Sequence, residues 1–198
     1  MQRIHLYMPT AKNCIVNAMR IGSFFLLSFL MTLQSSFAQT PQVDEFKLKT
    51  AFLYNFSQFI EWPSSSFTSS TSPFFVCIVG QNPFGNHLLQ LESRFHKTHP
   101  IQVLSPKTIQ EARTCHMLYV DDVRGSFLGR EPQKTLANAA ILTVSSSEDA
   151  RESGIAISFV IHAGKVRWIL NLNAARAAKL KLSSKLIEVA LTVTGEAQ

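Results

Sequence analysis

Four short apolar runs constrain this chain more than any other feature: 74–79 (FFVCIV), 101–104 (IQVL), 115–120 (CHMLYV) and 140–144 (AILTV). The first has no alternation of apolar and polar residues, the pattern of a strand buried on both faces of a sheet. Helical signals separate the runs. Asn82-Pro83 opens a helix near 84–96 with Leu88, Leu89, Leu91 and Phe95 inward, Ser105-Pro106 caps one through Ala112, and another lies near 133–139. Strand and helix in alternation read as βαβ units with right-handed crossovers. The fold class is therefore α/β: three layers, with a mixed, mainly parallel sheet of about six strands flanked by helices.

The ends of the chain complete this pattern. In 44–62 (DEFKLKTAFLYNFSQFIEW), Phe46, Leu48, Phe52, Phe56, Phe59 and Ile60 fall mostly three or four apart, one helix face, with Asp44 as N-cap and Pro63 as stop. Lys47, Lys49 and Glu61 oppose the helix dipole by a few tenths of a kcal/mol each, little beside the burial of several phenylalanines. Beyond Gly154, 155–161 and 166–172 flank His162-Ala163-Gly164-Lys165, so a C-terminal antiparallel hairpin is expected. Asn173 caps a short helix and Ser183-Ser184 a last one over 185–193.

The first 38 residues stand apart from this domain. They hold Arg3, Lys12 and Arg20 but no acidic residue, then the apolar run 21–33 and Ser36-Phe37-Ala38, a signal-peptidase pattern with cleavage before Gln39. A run of about 13 residues is short of the roughly 20 that span a bilayer. The expected organisation is a signal peptide over 1–38 and one domain over 39–198, located in the periplasm, with the start codon open between Met1 and Met19. Three of the 19 basic residues and none of the 13 acidic ones leave with the leader, so the net charge falls from +6 to +3, which removes most of the case for nucleic-acid binding. Cys14 leaves as well. Cys77 and Cys115 remain, either as a disulfide or as two buried thiols; a sheet wound outward from its first strand can set the first and third strands side by side, the arrangement a bond needs.

Chemistry-bearing residues are sparse. The sequence has no nucleophile elbow or His-Glu-x-x-His, and the 80–85 turn lacks the Gly-Lys-Ser/Thr ending of a phosphate loop. With Asp121 and Asp122 at the same sheet edge, that turn is the one enzymatic candidate, set against a plain helix start at Asn82-Pro83. His96 and His99 lack an evident third metal ligand, so no metal, cofactor or catalytic residue is assigned. Asn55 reads as a polar residue serving nearby backbone, and Trp168 as core rather than interface. Lys165, Arg167, Arg176, Lys179, Lys181 and Lys185 lie in a stretch without acidic residues from Ser153 to Ile187, a basic surface for an acidic partner or a solvated face.

The runs 49–63 (KTAFLYNFSQFIEWP), 75–85 (FVCIVGQNPFG), 115–120 and VRWILNLNAARAAKLKLSSKLIEVA resemble the YfiR-like periplasmic family in order and spacing over about 45–194. The resemblance implies an exported, typically dimeric repressor that binds the periplasmic sensory region of an inner-membrane diguanylate cyclase and is itself sequestered by an outer-membrane lipoprotein. It also implies that Cys77 and Cys115 pair. The basic residues 165, 167, 176, 179 and 181 are the expected partner contacts. Two other readings are a periplasmic small-molecule-binding module and an enzyme using the 80–85 turn with Asp121.

Overall fold

The computed structural model describes residues 45–121, 132–136, 138–150 and 152–195, which fall within one compact unit, Val43–Gln198. Helix α1 (Glu45–Phe59) leads into a two-residue strand, β1 (Ile60–Glu61). The central strands are β2 (Phe74–Val79), β4 (His99–Leu104), β5 (Met117–Val120) and β6 (Leu142–Ser145), with β3 (Phe95–His96) hairpinned onto β4. Helices α2 (Ile109–Ala112) and α3 (Pro132–Thr135) lie between them. The hairpin β7 (Ile157–His162) and β8 (Lys165–Asn171) is followed by α4 (Leu172–Ala177), β9 (Lys181–Leu182), α5 (Ser184–Glu188) and β10 (Thr192–Thr194).

Among the described residues the main sheet has eight strands in the order β10-β8-β7-β6-β5-β2-β4-β3, antiparallel only at β7–β8 and β3–β4. The α/β class with a mainly parallel sheet thus holds. The expected six strands become eight because β3 and β10 extend the two edges. A separate antiparallel pair, β1 with β9, sets Ile60 opposite Leu182 and ties the end of α1 to the C-terminal segment.

Alternation along the strands divides the core between two faces. Phe74, Val76, Ile78, Met117, Tyr119, Val144 and Trp168 pack with Leu53 and Phe56 of α1 and Ile60 of β1, while Cys77, Val79, Leu118 and Val120 pack with Ala112, Leu136 and Ala150 on a thinner opposite layer. The disulfide expected from the sequence lies on that thinner side: Cys77 and Cys115 are bonded with Cα atoms 6.0 Å apart, and both are buried. Its geometry follows from β2 and β5 being direct parallel neighbours, with Val76 opposite Met117.

Two contacts fix the direction of α1. At its start Lys49 Nζ donates to Ser146 Oγ (2.9 Å), at the carboxyl end of β6; just past its end Trp62 Nε1 donates to the carbonyl of His116 (3.0 Å), at the amino end of β5. Trp62 also sits edge-on to Phe74 at 4.8 Å. Trp62 thus anchors the end of α1, which runs antiparallel to the central strands; the helix stops at Phe59, not at Pro63, because residues 60 and 61 pair with β9 as strand β1.

Several local expectations are corrected. The buried side of α1 is Lys49, Thr50, Leu53, Phe56 and Ser57, continued by Ile60 in β1, while Phe59 is 40% exposed. Asp44 lies outside the described residues. The segment 84–96 is a 3-10 turn over Gly85–Gln90 followed by β3, because the chain finds antiparallel partners on β4; Leu89 and Phe95 consequently face solvent. Thr108, not Ser105, caps α2: its side chain accepts from Glu111 N while Glu111 Oε2 accepts from Lys107 N, a capping box shifted by one. Asn171, not Asn173, caps α4 by accepting from Ala174 N. Ser183 caps α5 as expected, but the helix stops at Glu188 and the chain turns into β10. The last helix of the β-rich centre is likewise shorter than 133–139, covering Pro132–Thr135. In the hairpin turn both Ala163 (φ 49°) and Gly164 (φ 70°) take positive φ, matching the strands' twist.

Candidate functional site

An apolar cleft lies where α1, β8 and α5 meet. Phe52, Asn55, Phe56 and Phe59 come from α1, Trp168 from β8, and Lys185, Leu186, Glu188 and Val189 from α5 and its end; together they line a cleft of about 300 Å³. The walls form because residues 52, 55, 56 and 59 share one side of α1, whereas Leu53 and Ile60 turn into the core. Trp168 packs against Phe52 at 4.9 Å and Phe56 at 5.3 Å. Phe59 (40%) and Val189 (51%) remain exposed at the rim.

One polar atom in this apolar setting stands out. Trp168 is 6% exposed, and its Nε1–H has no acceptor among the described residues. An unmet buried donor costs about 1–3 kcal/mol, which marks Trp168 as a position not chosen for stability alone. Lys185 and Glu188 place one charge of each sign at the mouth. The arrangement suits an apolar group. Asn55, expected to serve backbone, is instead exposed on this wall, and Trp168 serves both core and cleft.

The basic residues of the C-terminal third do not converge on one point. Lys165 is exposed at the hairpin end opposite His162; Arg167 is half-buried, with Nη2 donating to the carbonyl of Val189 at 3.4 Å, so it braces the cleft rim from behind. Arg176 is exposed in the last turn of α4 and Lys179 in the turn after it, at φ 58°. Lys181 stands opposite Glu61 and borders a second groove with Gln58 and Phe59. Lys185 alone lines the cleft itself.

The remaining candidates resolve into structural roles where the geometry is described. Asn82 Oδ1 accepts from Phe84 N at 3.0 Å, which organises the 80–85 turn; Asp121 is half-buried and donates its N–H to Val79 O, and Asp122 lies outside the described residues. His96 and His99, expected near a helix end, face each other across the β3–β4 hairpin. Their Nδ1 atoms contact the carbonyls of Ser57 (2.6 Å) and Ser72 (2.7 Å), and with His116 they stack around Phe67 and Phe74. Among the described residues no group of three or more His, Cys, Asp or Glu is placed to hold a metal ion. No described helix is long and apolar enough to cross a membrane.

Sequence reasoning missed Lys49, which is 4% exposed in the helix face that faces the sheet. The available signal was its spacing to Leu53, Phe56 and Ile60. The profile of a protein family described as YfiR/HmsC-like matches residues 46–191. A search of curated proteins found no match.

Proposed function

The chain belongs to the YfiR/HmsC-like family, and from that premise we propose that it is a periplasmic regulator that binds and restrains the periplasmic sensory region of an inner-membrane diguanylate cyclase. The family suggests regulation of cyclic-di-GMP signalling and is not a catalytic one. The observation that carries the binding role is the apolar cleft walled by Phe52, Phe56, Phe59, Trp168 and Val189. An apolar side chain of the partner fills the cleft, and the exposed Phe59 and Val189 extend the contact. Arg167, Arg176, Lys165, Lys179 and Lys181 surround the C-terminal elements and steer an acidic partner before docking.

A homodimer, and sequestration by an outer-membrane lipoprotein, belong to the same reading. So does export: cleavage before Gln39 releases the domain into the periplasm. The experiment is deletion of the gene in its native host, with intracellular cyclic-di-GMP and biofilm as readouts. Loss of restraint raises cyclic-di-GMP and biofilm; unchanged cyclic-di-GMP removes the repressor reading.

A further inference from the structure

A second cavity, of about 460 Å³, opens at the carboxyl edge of the parallel strands, where α/β sheets bind small ligands; Glu45 and Lys49 of α1, Ser146, Ser158, Phe159 and Ile161 form its walls. Its base holds a charge taken almost wholly out of water. Lys49 is 4% exposed, donates to Ser146 Oγ at 2.9 Å, pairs with Glu45, and lies over the rings of Phe46 (5.1 Å) and Phe159 (5.6 Å). Removing an ammonium from water costs several kcal/mol, a large outlay for a helix that an apolar residue would serve as well.

The cluster also holds more donors than its partners use. An ammonium has three N–H groups, and Glu45 and Ser146 take two. Tyr119, fully buried, shares a 3.0 Å hydrogen bond with Ser146 Oγ, and that oxygen already accepts from Lys49. Whichever hydroxyl donates in that bond, the proton of the other remains for a further acceptor. Glu45 already shows which acceptor the ammonium takes: a carboxylate, whose side chain is 43% exposed and free to swing into water. With Glu45 present and Asp121 acting on Tyr119 from nearby, a dianionic phosphate meets more negative charge than one ammonium balances. A monocarboxylate does not. Phe159 and the 58% exposed Ile161 offer apolar surface to the rest of such a molecule.

We propose that this cavity binds a small amphipathic monocarboxylate, its carboxylate displacing Glu45 on Lys49 and accepting from the Ser146–Tyr119 hydroxyl pair. The site is separate from the apolar cleft and does not depend on the repressor reading. The test is calorimetric titration of the exported protein with benzoate, with benzyl alcohol as the uncharged control. Saturable millimolar or tighter benzoate binding is expected, without binding of the alcohol. Lys49→Met lowers benzoate affinity at least tenfold, and Glu45→Gln, which removes the competing carboxylate, raises it severalfold. No saturable benzoate binding, equal binding of the alcohol, or affinity unchanged or lowered in Glu45→Gln overturns the proposal; the glutamine variant, at a partly exposed position, decides the matter should Lys49→Met fail to fold.

Discussion

The backbone N–H of Phe75 donates to Nδ1 of His116 at 3.0 Å, and this bond sets the protonation state of the ring. Nδ1 is an acceptor there, so the ring proton sits on Nε2 and donates to the carbonyl of Ser66 at 3.1 Å. A doubly protonated ring would turn N–H against N–H. Burial pushes the His116 pKa down to about 4, against a partly opposing bond to Ser66, with His96 and His99 adding repulsion.

Acid stability follows with a definite sign. His116 is neutral when folded and takes up a proton near pH 6.5 when unfolded, so its contribution is complete above about pH 6.5 and is lost progressively as the pH falls toward 4. The full loss is of order 3 kcal/mol. His96, also lowered by burial, acts in the same direction. Urea melts from pH 7.5 to 4 should show that decline, and His116→Asn, which can keep an acceptor for Phe75, should flatten it while costing about 1–2 kcal/mol at pH 7.5. An equal slope in the variant assigns the decline to other groups.

The disulfide closes a loop with a sequence separation of 38. In the chain-entropy account such a link restricts the unfolded chain by about 4 kcal/mol, a large part of a domain's stability. Full reduction should lower the melting temperature by on the order of 10 °C. Thiol counting on the denatured, unreduced protein checks the premise: no free thiol from Cys77 or Cys115 should be found.

Partner binding should respond to the cleft rim without a folding defect. Phe59→Asp and Val189→Asp change residues that are 40% and 51% exposed, so stability should move by less than about 1 kcal/mol. Affinity for the purified periplasmic region of the cyclase should drop by about 2 kcal/mol or more, roughly thirtyfold. Arg176→Glu with Lys179→Glu should instead slow association and reduce its salt dependence. Full affinity in both rim variants would move the interface elsewhere.

Export makes a simple mass-spectrometric prediction. Protein recovered from a periplasmic extract should begin at or near Gln39, after Ser36-Phe37-Ala38. An intact Met1 or Met19 terminus in that fraction contradicts cleavage.

The α/β class, the strands β2, β4, β5 and β6 and the hairpin were legible in the chain because each rests on local information, whereas the pairing of Cys77 with Cys115, 38 residues apart, rested on the expected strand order and on the family resemblance. An unbroken apolar run, or a turn with glycine at its second position, means much the same in any compact fold of this size. Short capping segments were less legible: Thr108 and Ser105, or Asn171 and Asn173, offer similar caps a few residues apart, and small energy differences in packing choose between them. Leu89 and Phe95 were expected inside and lie outside, since the hydrogen bonds of the β3–β4 hairpin outweighed a helix there.

Both cavities were decided by tertiary structure alone. The apolar cleft joins residues 52–59, 168 and 185–189, and the polar cavity joins 45–49 with 146–161; neither set is contiguous or periodic. Lys49 looks solvated in a sequence window because a lysine usually is. Only the seating of α1 against the carboxyl end of β6 takes its ammonium out of water and surrounds it with Ser146, Tyr119 and Phe159. The chain's periodicity specified which elements form; the angle and register at which one helix meets the sheet specified which side chains share a cavity.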